Sequence, residues 1–171
     1  MATIKGRARK FGDNVNTDAI TPSDVLHLPT EELKKHTFRP IFPDFPNTVR
    51  EGDIIVAGTN FGCGSSREGA TAVLKELGIR YIVCDSMARI YLRNCVALGL
   101  YPVISKGVGH LFNEGDDIEI DLDRGEVNNP KTGKKAPFKP ISGKLKEVLD
   151  GGGILPFLKK ITEETSKPKQ A

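Results

Sequence analysis

Three short apolar runs, DIIVAG at 53–58, GIRYIVCDS at 78–86 and LYPVIS at 100–105, constrain this chain more than anything else in it. Each is continuous and rich in β-branched residues, the pattern of a strand buried on both faces. Between the first and second, Ala70, Val73, Leu74 and Leu77 recur at i, i+3, i+4 and i+7, and Gly78 follows as a helix stop. Between the second and third, Met87, Ile90, Tyr91, Cys95 and Leu98 form a similar stripe that ends at Gly99. Strand–helix–strand–helix–strand is a βαβαβ unit, so parallel strands and right-handed crossovers are expected.

The remainder reads as additions to that core. Residues 1–20 alternate weakly and reach GDNVNTDAITP, whose Asp, Asn, Thr and Pro favour turns. TEELKKHT (30–37) predicts a short helix with Thr30 as N-cap and Leu33 facing inward. RPIFPDFPNTVREGD is a loop that packs its phenylalanines. In DDIEIDLDRGEV (116–127), Ile118, Ile120 and Leu122 alternate with acids before a turn at Arg124-Gly125, the mark of a half-exposed strand entering a hairpin. NNPKTGKKAPFKP reads as a basic link, and SGKLKEVLDGGGILPFLKK as a helix, a glycine break and a last apolar segment. The expected fold is α/β, a small parallel core with added antiparallel strands. Residues 1–160 form one domain and 161–171 a polar, frayed tail.

The bulk numbers exclude several classes. The net charge of +3 over 171 residues is too even for a nucleic-acid binder, and the basic stretch KTGKK is short. No apolar run of about 18 residues exists to span a membrane, and MATIKGRARKFGDN carries no signal-peptide core. The cysteines, Cys63, Cys84 and Cys95, are odd in number and fit no zinc spacing. A reduced cytoplasmic protein with free thiols is expected, so the ligands of any metal cluster would come from another chain.

The chemistry concentrates in NFGCGSSREGATAVLKELG, residues 60–78. Ser65-Ser66-Arg67-Glu68 matches the S-x-x-E capping box, in which Ser65 would cap the helix. The loop also follows a buried strand at the carboxyl edge of the expected parallel sheet, where ligands of open α/β folds bind. A helix N-terminus favours an anion, the glycines permit close approach, and Arg67 can grip a carboxylate with two parallel bonds. Helix capping alone and an anionic ligand, a carboxylate or a phosphate, are the two readings of this loop. A G-x-x-x-x-G-K-[ST] phosphate loop is absent.

Three segments together resemble one family. NFGCGSSRE is similar to the G-S-S-R-E loop of the aconitase superfamily's swivelling domain. KFGDNVNTDAITP resembles its G-D-N-I-x-T-D-x-I-x-P segment, and DSMARIYLRN its S-F-A-R-I-x-x-R-N segment. The order matches over about 100 residues, and the length matches the separate small subunit of 3-isopropylmalate dehydratase and homoaconitase-type enzymes. The resemblance implies a swivelling β/β/α-type domain and a hydro-lyase of leucine biosynthesis. Its site would be shared with a large subunit, in a heterodimer or heterotetramer, that holds a 4Fe–4S cluster. It implies Ser65 as the base that takes a carbon-bound proton, and Ser66 and Arg67 as the grip on a carboxylate of a small dicarboxylate substrate. Asp18 stands at the T-D position, which implies a partner for an acid–base histidine of the large subunit. An Asx-turn in a polar loop is the equal alternative. Arg89 and Arg93 share a helix face and are left outside the site.

The chain departs from the family at two places. Gly69 stands where R-E-H-A is usual, which costs a titratable group and weakens the helix start. Ser23-Asp24-Val25-Leu26-His27-Leu28 replaces a G-R-Y-L-type stretch, which puts His27 at the residue that reads the substrate's variable group. An exposed loop histidine is the alternative. Asp24 should repel a third carboxylate, and Val25, Leu26 and Leu28 should favour a small apolar group. Isopropylmalate, citramalate-type acids and 2,3-dimethylmalate therefore fit better than homoaconitate. A stand-alone anion-binding module is the competing class.

Overall fold

The computed structural model describes residues 3–166. Its strands are β1 (Thr3–Lys10), β2 (Ile54–Ala57), β3 (Tyr81–Cys84), β4 (Tyr101–Ile104), β5 (Asp117–Asp121), β6 (Glu126–Asn129) and β7 (Lys134–Pro137). Its α-helices are α1 (Thr17–Ile20), α2 (Thr30–Leu33), α3 (Phe45–Thr48), α4 (Glu68–Glu76), α5 (Arg89–Leu98), α6 (Lys144–Asp150) and α7 (Ile154–Ser166). The strands form one mixed sheet in the order β4-β3-β2-β1-β5-β6-β7. β1 to β4 run parallel, and β5 to β7 form an antiparallel meander joined to β1. The fold is the α/β class expected, with the parallel core and antiparallel additions in place.

The apolar runs are continuous because both faces of the parallel half are covered. Ile55, Ala57, Ile82 and Cys84 face one core, shared with Ala70, Val73 and Leu74 of α4 and Tyr91 and Cys95 of α5. Ile54, Val56, Val83 and Val103 face the other, shared with Ile118 and Ile120 of β5, Val127 of β6 and Leu149 of α6. α5 ends at Gly99 in a left-handed conformation, φ 79°, as its sequence predicts. Phe42 and Phe45 of the phenylalanine-bearing loop, with Phe38 just before it, pack against Phe11. No helix among the described residues is long and apolar enough to cross a membrane.

Four sequence expectations change. The weakly alternating N-terminus is a full strand, and β1 joins the two halves: Thr3–Arg7 pair with β5, and Ala8–Lys10 with β2. The basic link contains β7, paired to β6 from Lys134 to Pro137. Thr30 does not cap α2; Pro29 is the N-cap and Thr30 the first helical residue, a place where proline's lack of an N–H costs nothing. α7 passes through residue 161 and continues to Ser166, so the start of the expected tail is helical. Residues 167–171 of that tail lie outside the described residues.

Candidate active site

The three motif segments meet at the carboxyl edge of the parallel strands. The segment after β1 reaches the loop after β2 through Gly62 N–H to Val15 O (2.7 Å) and Thr17 N–H to Cys63 O (2.8 Å). The same loop holds the segment after β3 through Phe61 N–H to Ser86 O (3.0 Å) and Ala88 N–H to Phe61 O (2.9 Å). Backbone ladders of this kind fix the path of the loop independently of its side chains.

Two glycines make that path possible. Gly62 (φ 73°) lies so close to Tyr91 that a Cβ there would sit 2.1 Å from the ring's Cγ, and Tyr91 is buried with its hydroxyl on Ala70 O. Gly62→Ala is expected to cost about 2–5 kcal/mol by combining overpacking with a disfavoured backbone. Urea unfolding of the chain measures it, and a loss under about 1 kcal/mol would show that the ring moves aside. Gly64 (φ 98°) then turns the chain toward α1.

The consequence concerns Ser65. α4 begins at Glu68 with Arg67 as N-cap and no side-chain cap, and no side chain among the described residues bonds its first N–H groups. The capping box is therefore not formed. The turn at Gly64 carries the Ser65 hydroxyl away from α4 to within 3.3 Å of Thr17 Oγ1. Ser65 and Ser66 are both exposed, with the open end of α4 and its partial positive charge nearby.

Arg67 is held from below. Its Nη1 donates to Asp18 Oδ1 at 2.5 Å and to Thr21 O at 3.2 Å. Ser23 Oγ donates to the same Oδ1 at 2.6 Å. The Ser23 hydroxyl and the Arg67 guanidinium hold the Asp18 carboxyl below its ordinary range. Arg67 Nη2 makes a long contact to Ser23 Oγ at 3.5 Å, and among the described residues Arg67 Nε and Asp18 Oδ2 carry no hydrogen bond, so Nε with the second Nη2 proton is left for an outside carboxylate and Asp18 keeps an oxygen for an outside donor. The Asx-turn alternative for Asp18 gives way to this ion pair; the side chain that caps α1 is Asn16, accepting from Ala19 N–H at 2.7 Å. Ser23 and the carbonyl of Thr21 are site members that sequence reasoning missed. The serine directly after the T-D-x-I-x-P segment was the available signal.

The recognition stretch differs from expectation at two residues. Asp24 is bridged by Arg39 Nη2 at 2.7 Å to both its oxygens. A compensated carboxylate repels a third carboxylate weakly, so the charge argument built on Asp24 fails. Val25 is buried and offers no apolar wall to a ligand, and Leu28 is half-buried against the same core. Leu26 and His27 are exposed side by side on the turn that follows. Arg89 and Arg93 are exposed on α5 without an ion pair among the described residues.

Among the described residues the free thiols are Cys63, half-buried in the site loop, and the buried Cys84 and Cys95, so one accessible thiol stands against the several that an iron–sulfur cluster takes. Cys84 and Cys95 are buried on β3 and α5, and burial pushes the Cys84 thiol up to about 12 and the Cys95 thiol higher still. A cluster ligand must be a thiolate. No group of three His, Cys, Asp or Glu residues among the described residues could hold a metal ion.

The aconitase C-terminal domain model matches residues 2–106, which span β1 to β4 and all three site loops. The chain belongs to the aconitase C-terminal domain family. Within it, the chain is 45% identical over 163 residues to the isopropylmalate/citramalate isomerase small subunit of Methanocaldococcus jannaschii, covering 95% of this chain and 97% of that one. It is 48% identical over 159 residues to the 3-isopropylmalate dehydratase small subunit 1 of Thermotoga maritima, covering 92% and 95%. The fold superposes on the crystal structure of 3-isopropylmalate dehydratase (LeuD) from Methanocaldococcus jannaschii with a TM-score of 0.90 and 43% identity, covering 96% of this chain and 98% of that one. The swivelling-domain expectation holds, and the aconitase-family match stops near the point where the antiparallel additions begin.

Proposed function

We propose that this chain is the small subunit of a hydro-lyase of the 3-isopropylmalate dehydratase type, active with a large subunit that carries the 4Fe–4S cluster. One observation carries the reading. The Ser65 hydroxyl is exposed at the carboxyl edge and free of any capping role, in a loop shared with an anchored guanidinium. In this role the Ser65 alkoxide takes the proton from the substrate carbon. Its O–H bond forms as the C–H bond breaks, the C–H electron pair becomes the π bond of the alkene, and the C–O bond breaks with its electron pair on oxygen, which takes a proton from the large subunit's acid–base histidine and leaves as water. The open N-terminus of α4 and Arg67 favour the negative charge on Ser65 and on the substrate. Arg67 binds a substrate carboxylate through its free edge, with Ser66 as a second donor. Asp18 Oδ2 pairs with an acid–base histidine of the large subunit.

The substrate class follows from the relatives' names and the recognition turn. Those relatives act on isopropylmalate and, in one case, citramalate, and Leu26 and His27 are the exposed side chains at the turn. A malate with a small alkyl group, processed in leucine biosynthesis, is the substrate proposed. His27→Arg is expected to shift the kcat/KM ratio toward homoaconitate by about fivefold, the size of one exposed charge pair. An unchanged ranking of 3-isopropylmalate, citramalate and homoaconitate in the Arg and Val variants would remove His27 from specificity.

Reconstitution tests the function itself. The chain is mixed anaerobically with candidate cluster-bearing subunits, and alkene absorbance is followed with 3-isopropylmalate and citramalate. Turnover is expected only in the mixture. A chain that purifies with its own iron–sulfur chromophore would contradict the division of labour, and a folded mixture inert on every substituted malate would leave the anion-binding module.

A further inference from the structure

We infer that Thr17 is a positioning residue for Ser65, its buried hydroxyl donating a hydrogen bond to the serine Oγ and favouring the deprotonated form. This rests on the proposed role of Ser65 as base.

The direction of the bond follows from the surroundings of the two oxygens. Thr17 has none of its surface exposed, and its Oγ1 lies 3.3 Å from Ser65 Oγ. No other acceptor among the described residues takes that hydroxyl. A buried hydroxyl with a single polar neighbour gives its proton to that neighbour or loses a hydrogen bond. Ser65 is exposed and can direct its own proton outward, to water or to substrate. Thr17 is therefore the donor. When Ser65 loses its proton, the bond becomes charge-assisted and stronger, so it selectively stabilises the reactive state.

The backbone is built to bring the pair together. Thr17 opens α1, its N–H donates to Cys63 O at 2.8 Å, and Asn16 caps the same turn. A Cβ at Gly64 would sit 3.2 Å from Thr17 Oγ1, so a side chain there would crowd the hydroxyl and push the loop off it. The next residue, Asp18, grips Arg67. One capped helical turn thus holds both ends of the Ser65–Arg67 segment, one by a neutral hydroxyl and one by a carboxylate.

Thr17→Val keeps the shape and removes the donor. With the large subunit present and 3-isopropylmalate as the probe, kcat is expected to fall about 10- to 100-fold, the worth of one hydrogen bond to a charged oxygen. KM should stay within about twofold, because Thr17 does not touch substrate. Thr17→Ser should recover most of the loss, and Thr17→Val should add nothing in a Ser65→Ala background. A folded Thr17→Val chain that pairs with the large subunit and keeps kcat within about twofold of the parent would overturn the inference. So would a Thr17→Ser variant as slow as Thr17→Val, since packing and not the hydroxyl would then be at work. Should Thr17→Val fail to fold, Thr17→Ala is compared with Thr17→Ser in the same way. Near-normal turnover of Ser65→Ala alone would instead remove the base assignment, a separate failure that this single variant reports.

Discussion

Ser65→Ala is expected to lower turnover of the reconstituted enzyme by about 10²–10⁴-fold, the usual contribution of a positioned base, with little effect on stability or on pairing with the large subunit. The reason lies in what the hydroxyl does not do. A serine that capped α4 would cost about 0.5–2 kcal/mol of stability when replaced by alanine. Here α4 has no side-chain cap, and the Ser65 oxygen is exposed and, among the described residues, bonded only to Thr17. The structural role of the oxygen is thus small, so the proposed catalytic role carries the expected effect. Measuring kcat beside the unfolding midpoint separates the two uses. Retained turnover would end the base assignment, and a large fall in the midpoint with proportionate loss of activity would return the residue to a structural role.

Asp53→Asn should destabilise the free chain by about 3–5 kcal/mol, the cost of breaking a buried ion pair from one side. Asp53 accepts from Arg7 Nε (3.0 Å) and Nη2 (2.6 Å), Arg9 Nη1 (3.2 Å) and the Arg50 N–H (3.0 Å). Arg9 is 1% exposed, with its guanidinium 5.0 Å from the centre of the Phe42 ring and 4.8 Å from that of Phe45. Its other carboxylate, Glu114 at 2.7 Å, is partly exposed. Removing the charge on Asp53 leaves a buried cation half compensated at the strand that leads into the site. Urea unfolding reads the loss, and a change below about 1 kcal/mol would mean that Glu114 and the rings suffice.

The same carboxylate gives a pH signature. Burial works against its ionisation, yet the Arg7 guanidinium, the Arg50 N–H and the Arg9 guanidinium together hold it below the ordinary 3.8. A depressed folded-state pKa adds stability that is complete above 3.8 and fades as pH falls through the lower folded value. The gap between parent and Asp53→Asn should therefore be widest near neutrality and narrow below about pH 4. A gap that stays constant down to about pH 3 would show that Asp53 is not the titrating group.

The legible parts of the chain share one physical property. β2 and β3 are covered on both faces and β4 is buried from Tyr101 to Val103, so every residue along them is apolar, and α4 and α5 each lay one stripe on the sheet. Such patterns are local, and a window of ten residues displays them. β1 is hidden by the opposite property. Its Lys5, Arg7, Arg9 and Lys10 look like a solvated segment, but Arg7 and Arg9 meet Asp53, and Arg9 also meets Glu114, far along the chain. β7 is an edge strand, mostly exposed, and its lysines read as a linker. The site divides in the same way. The glycine-rich loop at a strand end was visible, and with it the residues Ser65, Ser66 and Arg67. The Asp18–Arg67 pair, the neutralisation of Asp24 by Arg39 and the burial of Val25 were not.

Periodicity and composition alone therefore settled a parallel α/β core, its two flanking helices, and the edge at which a glycine-rich loop would open. Folding in three dimensions decided which oxygen of that loop stays free, which partner each charge takes, and which apolar side chains turn inward. Those outcomes depend on contacts between residues tens of positions apart, and short-range patterns carry no trace of such contacts.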